Sequence, residues 1–318
     1  MHMTRRDVLA TGIAACMTAR AAEAGPARIA GPAFGSSWHV VLPATADKAA
    51  ATRAIMAETE AVDAAMSPYR ADADLSRFNE ERGTDWVPVA GSLCRVLDAA
   101  LRMRARTGGA FDPTVGPAVG RFGFGPIRGV FGDADGLAVR GAAIRKSHPA
   151  TTLDLCGIAK GYALDRIAAA LAALGHRDAL IELGGEVIAS GHHPEGRDWL
   201  VAIERPGTNP ATAQRIVRPG RLALATSGLS ANGFASPRLN HIIDPRTARP
   251  VAPGLASVSV LAADAETADA LATALLVMGP EAGPALAETQ DVAALFLAED
   301  GSDIREIMTG AFADHVEI

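Results

Sequence analysis

Thr152-Leu153-Asp154-Leu155-Cys156-Gly157-Ile158-Ala159-Lys160-Gly161-Tyr162 places a carboxylate, two glycines and a lysine where a strand pattern gives way to a helix pattern. A glycine-permitted turn lets backbone N–H groups face an anion, a helix start adds partial positive charge, and a lysine adds a full one. The chemistry this suits is the binding of a pyrophosphate, and so of a nucleotide-like ligand. The segment is neither a Walker loop nor a G-x-G-x-x-G fingerprint, and an ordinary strand-to-helix connection with a solvated lysine fits the local pattern equally well.

Two further groups of residues have the types that reactions use. Asp269 and Thr273 are four residues apart, which on a helix puts a carboxylate and a hydroxyl on one face; both are hard oxygen ligands of the kind Mg²⁺ accepts. The bland alternative bonds Thr273 to the carbonyl of Asp269 and leaves Asp269 solvated. His241 opens the apolar run Ile242-Ile243 and is followed by the acidic turn Asp244-Pro245-Arg246-Thr247. It suits a general base tuned by a carboxylate, or equally a hydrogen-bonded structural histidine.

The elements that must position these groups follow from periodicity and caps. Ala163, Leu164, Ile167, Ala168, Leu171 and Leu174 recur at helical spacing, and Gly175-His176 closes that helix. A second helix is expected from about Ser92 to Thr107, stopped by the rigid turn Gly108-Gly109-Ala110-Phe111-Asp112-Pro113-Thr114-Val115-Gly116. A third begins with Asp264 as N-cap, carries Asp269 and Thr273, runs to Met278 and stops at Gly279-Pro280. Ile181 to Val187 reads as a buried strand broken by Gly184-Gly185, with Trp199 to Ile203 as its neighbour, and both are assigned mainly to the scaffold. Further strands are expected at Ser257 to Ala262 and up to Ala225-Thr226-Ser227-Gly228. Met66-Ser67-Pro68-Tyr69-Arg70 leads into Asp74-Leu75-Ser76-Arg77-Phe78-Asn79 and is read with it as one polar loop. Tyr69, one of 2 tyrosines in a chain with 4% aromatic residues, offers a face for a flat ring or packs on its own turn.

Taken together, Ser67-Pro68-Tyr69-Arg70, Phe111-Asp112-Pro113-Thr114, Leu153 to Gly161, Thr226-Ser227-Gly228, His241-Ile242-Ile243-Asp244-Pro245 and Ala268 to Thr273 closely resemble the ApbE family, the FAD:protein FMN transferases. The order and spacing match from about Phe34 to about Gly279. The resemblance implies that FAD is the donor, that its FMN half passes to a Thr or Ser hydroxyl of a target protein, and that AMP leaves with the help of Mg²⁺. It implies flavin-nucleotide contacts from Phe34, Tyr69, Ala110, Phe111, Asp112, Asp154, Lys160 and His241. It implies metal ligands from Asp269 and Thr273, with a backbone oxygen near Gly157 or Ala159. His241 takes the place of the base toward the acceptor hydroxyl, and Lys160 that of a group stabilising developing charge. Three departures stand out: Phe34-Gly35-Ser36 where the family usually has Met-Gly-Thr, Cys156 where it often has Gly, and Ala248 where Thr-Gly-x-Pro is common. Hydrolysis of FAD by water, and flavin binding without turnover, remain alternatives at this level. The acceptor implied by family context is a membrane-associated electron-transfer subunit.

Composition sets the outer bounds. Arg5-Arg6, an alanine-rich apolar stretch and Ala22-Glu23-Ala24 describe an export signal of the twin-arginine type over residues 1–24. Ile13-Ala14-Ala15-Cys16 offers lipid attachment at Cys16 as the competing outcome. A periplasmic product follows from either. The net charge is −6, and Arg5, Arg6 and Arg20 against Asp7 and Glu23 contribute +1, so the rest of the chain is near −7. An acidic chain with no basic run is a poor partner for nucleic acid, and a divalent metal would offset its repulsion of a pyrophosphate. Cys94 and Cys156 are too few for a disulfide framework, so a hydrophobic core must carry stability. Irregularly alternating helices and strands point to an α+β domain with mixed sheets and flanking helices over residues 25–318, undivided or in two lobes around the FAD site.

Overall fold

The computed structural model describes residues 25–208, 211–229, 240–301 and 303–317. The expected signal peptide, Cys16 and the boundary after Ala24 lie outside the described residues. In chain order the elements are β1 (Ala27–Ala33), β2 (Ser36–Leu42), α1 (Lys48–Met66), α2 (Asp74–Glu80), β3 (Val87–Pro88), α3 (Gly91–Arg106) and α4 (Gly116–Arg121). There follow β4 (Leu137–Arg140), β5 (Ala143–Lys146), α5 (Ala159–Ala173), β6 (Ala179–Leu183), β7 (Glu186–Ser190), β8 (Val201–Glu204), β9 (Ala213–Val217) and β10 (Ala223–Gly228). The chain ends with β11 (Ile243–Asp244), β12 (Arg249–Pro250), β13 (Leu255–Ala262), α6 (Ala265–Thr289), β14 (Ala293–Asp300) and β15 (Asp303–Thr309).

An eight-stranded sheet in the order β1-β2-β6-β7-β10-β13-β14-β15 organises the molecule. Its ladders are antiparallel throughout; outside it, Val130 and Thr151 form an isolated parallel bridge. Successive side chains of a strand face opposite ways, and here both faces are covered. Ala294 and Phe296 of β14 join the main core with the helices, while Leu295 and Leu297 join Ile203, Val217 and Phe312 on the other side. The expected α+β class with helices flanking sheets is what forms.

The elements that periodicity predicted lie where it puts them, with three corrections, while α1 from Lys48 to Met66 and the strands of both sheet edges were not among them. Asp74 to Asn79 is helical, because Leu75 and Phe78 are fully buried three residues apart and pull this polar stretch onto the core. Trp199 to Ile203 is not a neighbour of β6 or β7. β8 pairs with β9 in a sheet of its own, and the segment meets β7 through side chains: Trp199 packs with Ala189, Ile203 with Val187, and the Trp199 indole N–H donates to the Ser190 carbonyl at 2.9 Å. The stop at Gly279-Pro280 is a kink: Gly279 leaves helical geometry at φ 83°, Pro280 then starts a second helical segment, and α6 continues to Thr289. Alone among the described residues, α6 is long and apolar enough to cross a bilayer. Half of its apolar window is buried within the fold, and residues Ala268 to Leu276 pack into the main core.

The docking of α6 on α5 places the residues of interest. Asp264 caps α6 as expected, accepting from Thr267 N at 2.7 Å. Asp165 of α5 adds a second cap, its carboxylate accepting from Ala265 N and Glu266 N at 2.9 and 3.0 Å. The helices meet at Gly161, where a Cβ would lie 2.1 Å from the Ala265 carbonyl oxygen and 2.9 Å from Asp269 Cβ. Gly161→Ala is therefore expected to cost about 1–3 kcal/mol through overpacking. Urea unfolding of the variant checks this, and unchanged stability would show that the two helices are free to separate.

Candidate functional site

Four elements converge beside that junction: the turn before α5, the first turns of α6, the end of β10 and the β6–β7 hairpin. Gly161 N–H donates to Asp269 Oδ2 at 3.0 Å, across 108 residues of chain. Asp269 is 4% exposed. Thr273, one helical turn on, shares a hydrogen bond with Ser227 Oγ of β10 at 3.1 Å rather than bonding back to its own helix. A Cβ on Gly157 would sit 3.4 Å from Thr273 Oγ1 and 3.3 Å from the Phe111 ring, so the bare backbone of the turn faces that hydroxyl. The bland reading of Asp269 and Thr273 does not describe this arrangement.

Lys160 contacts a residue that sequence reasoning left in the scaffold. Its Nζ lies 2.5 Å from Glu186 Oε1, at the start of β7 immediately after the Gly184-Gly185 turn. Glu186 is 2% exposed, and its Oε2 has no partner among the described residues. The signal was a lone acid heading an apolar strand that pairs internally on both sides. Burial alone would lower the Lys160 pKa, but the carboxylates of Glu186 and Asp269 outweigh it and hold the ammonium charged. Burial raises the carboxyls of Glu186, Asp269 and Asp154 above the usual range. For the first two, Lys160 opposes the shift.

Phe34 sits at the tip of the two-residue turn between β1 and β2 with φ 51°, a left-handed conformation costly for a bulky residue. The neighbouring Ser36 Oγ comes 3.5 Å from where a Gly184 Cβ would stand, so this hairpin tip leans on the Lys160–Glu186 pair. Asp154 accepts from Cys156 N at 3.0 Å and is nearly buried, while Cys156 is exposed at the turn. Tyr69 is 71% exposed, its hydroxyl donating to the Phe124 carbonyl at 3.3 Å.

Other expected site residues are placed differently. Ala110 and Phe111 are packed in the core under the turn. Asp112 is committed within the protein, accepting from Thr114 N and Oγ1 at 2.7 and 2.6 Å and from Arg104 Nε at 3.0 Å. Ala159 begins α5. Among the described residues no carboxylate tunes His241: Asp244 is held by Arg246 through two bonds of 2.9 and 3.0 Å. Burial and the nearby Lys160 charge lower the His241 pKa instead, its Nδ1 is buried without a partner among the described residues, and its ring meets Phe124 edge-on at 6.3 Å.

A groove of about 360 Å³ runs beside Tyr69, lined by Pro68, Asn79, Arg128, Gly129 and Thr152 among others. A second depression of similar volume, among His192, Asp198, Arg218 and Glu317, shares no residue with the cluster, and its charged groups pair with one another.

The donor set suits a hard divalent cation. Asp269, the Thr273 hydroxyl and the backbone at Gly157 and Ala159 are all oxygen donors, and neighbouring carboxyls raised by burial favour an added positive charge. The described residues hold no cluster of three His, Cys, Asp or Glu side chains, so Zn²⁺-type ligation is not what this site offers.

The comparisons agree with this geometry. The FAD:protein FMN transferase of Vibrio cholerae serotype O1 is 34% identical over 303 residues, covering 89% of this chain and 91% of that protein. The FAD:protein FMN transferase of Escherichia coli K12 is 30% identical over 304 residues, covering 89% and 87%. The solved structure of flavin transferase ApbE from Vibrio cholerae superposes with a TM-score of 0.83 at 32% identity, covering 91% of this chain and 99% of that one. Pseudomonas stutzeri flavinyl transferase ApbE, in its apo form, gives 0.82 at 32% identity, with 91% and 96% covered. With the ApbE family model matching residues 34–296, most of the described fold and the whole cluster around Lys160 and Asp269, the chain belongs to the ApbE family.

Proposed function

We propose that the protein is an FAD:protein FMN transferase, a Mg²⁺-dependent enzyme that passes the FMN half of FAD to a Thr or Ser hydroxyl of a target flavoprotein and releases AMP. The observation that carries the reading is the buried oxygen cluster of Asp269 and Thr273 beside Lys160. Charge neutralisation and positioning, rather than covalent help, are what such a transfer requires. Mg²⁺ held by Asp269, Thr273 and the Gly157 or Ala159 backbone would neutralise pyrophosphate oxygens.

The residues divide the remaining work. Lys160, held charged by its two carboxylates, binds the phosphate anion. Phe34 and exposed Tyr69 offer faces for the flavin ring, and the turn from Asp154 to Lys160, underlain by Ala110, Phe111 and Asp112, carries the pyrophosphate. His241, kept neutral by burial, accepts the hydroxyl proton as the acceptor oxygen bonds to the FMN phosphorus and the pyrophosphate bond breaks toward AMP.

The Arg5-Arg6 to Ala24 pattern supports cleavage after residue 24 and a periplasmic enzyme over residues 25–318. Its acceptor is then a membrane-associated electron-transfer subunit. Cys16 lipidation is the competing outcome, and the mass of the exported chain separates the two.

Intact-mass spectrometry of such an acceptor domain, incubated with the protein, FAD and Mg²⁺, tests the function. An FMN-sized adduct formed together with AMP is expected; AMP and free FMN without adduct would indicate hydrolysis, and intact FAD would indicate binding alone. Asp269→Ala is expected to lower Mg²⁺-dependent turnover by roughly a hundredfold or more, and full turnover in that variant would remove Asp269 from the metal site. Because His241 is shifted below the ordinary imidazole value of about 6.5, it stays neutral as pH falls through that value. The acid limb of kcat/KM should therefore lie below about pH 6.5 and disappear in His241→Gln; a limb unmoved by that substitution would exclude His241 as the base.

A further inference from the structure

The segment that leads into Asp154 is tied twice to the end of α2, by residues to which the reaction above gives no role. The Asn79 amide copies a strand partner: its Nδ2 donates to the Leu153 carbonyl at 2.9 Å, and its Oδ1 accepts from Leu153 N at 2.7 Å. Lys146 of β5 is 1% exposed, and its Nζ donates to the Phe78 carbonyl at 3.1 Å and to the Thr151 carbonyl at 3.0 Å, bridging the same two segments just upstream on each. The ammonium also lies 5.0 Å from the Phe78 ring centroid. Among the described residues it has no carboxylate within ion-pair distance, and an ammonium buried on those terms is expensive unless its hydrogen bonds serve the fold.

The other end of α2 reaches the Tyr69 loop. Ser76 Oγ donates to the Ser67 carbonyl at 2.9 Å, and Ser67 Oγ accepts from Tyr69 N at 3.3 Å. A continuous set of bonds therefore runs from the backbone N–H that carries the exposed Tyr69 ring through α2 to the residue before Asp154, and Asn79 itself lines the groove beside Tyr69. A ligand that stacks a ring on Tyr69 while seating a pyrophosphate on the Asp154 turn needs that span to be fixed beforehand, since a misplaced subsite forfeits binding energy.

We propose that Asn79 and Lys146 are positioning residues that set the span between the Tyr69 ring platform and the pyrophosphate turn, so that the full dinucleotide length of FAD is recognised as one unit. The inference rests on the reading of Tyr69 and Asp154 as FAD contacts.

A double-mutant cycle on the full chain tests it, with FAD affinity read from flavin fluorescence quenching in EDTA and folding checked by the thermal midpoint. Tyr69→Ala and Asn79→Leu are each expected to weaken FAD by roughly tenfold, from a lost stacking face and from two unpaired backbone groups. The double variant is expected to bind within about threefold of Tyr69→Ala alone, because a span has no value once one of its ends is gone. Losses that multiply would overturn the inference, since a purely structural asparagine acts independently of the ring. Tyr69→Ala that binds FAD like the parent chain would refute the reading of Tyr69 itself and take the inference with it. Lys146→Met carries the same cycle if Asn79→Leu does not fold, with the same two outcomes.

Discussion

Helix α5 meets the first turn of α6 with no side chain between them at Gly161, and the rest of the site depends on that approach. A Cβ there would stand 2.1 Å from the Ala265 carbonyl, so only glycine allows the helices to close to this separation. Once they have closed, the Gly161 N–H reaches Asp269, Asp165 satisfies the free N–H groups at the start of α6, and Thr273 comes level with the bare backbone of Gly157. A carboxylate, a hydroxyl and a peptide turn from two distant parts of the chain then share one small volume.

The electrostatics of that volume follow from its burial. Asp269 and Glu186 are almost inaccessible, and Lys160 between them is the one charge that opposes their desolvation. Removing charges from water is costly, and one ammonium facing two carboxylates leaves the cluster short of positive charge. An oxygen-ligated divalent cation is the natural complement, and a pyrophosphate the natural counterweight to that cation. The same logic sets His241 apart: lying near a cation and away from carboxylates, it is pushed toward the neutral form that can accept a proton.

A wider frame holds this centre in place. The eight-stranded sheet is covered on both faces, so its strands have little freedom to slide, and the hairpin tips at Phe34 and Gly184 are held at one end of it. Elsewhere around the centre, α2 and the buried Lys146 join the Tyr69 loop to the segment entering Asp154. Rigidity on both sides of the turn is what a site needs when catalysis is chiefly a matter of placement.

Helices α3 and α5, the start of α6 with its cap, and the chemical types at the site were legible in the sequence; α1 and α4 were not read from it. Asp264 capping α6, the end of α3 before Gly108-Gly109 and the turn from Asp154 to Lys160 depend on backbone sterics and hydrogen bonds within a few residues, which local order encodes. The helicity of Asp74 to Glu80 was hidden, because a short polar helix held by Leu75 and Phe78 owes its existence to the core it lands on. So was the continuation of α6 past Gly279, which tertiary packing rather than propensity sustains. Partner choice was decided by the tertiary structure alone. Asp244 binds Arg246 instead of tuning His241, Glu186 binds Lys160 instead of serving the scaffold, and Asn79 clamps Leu153 across 74 residues. Spacing along the chain fixes which groups exist and which face of an element they occupy. Which of them touch is set by sheet register and by how closely two helices approach, and those are properties of the whole packed core.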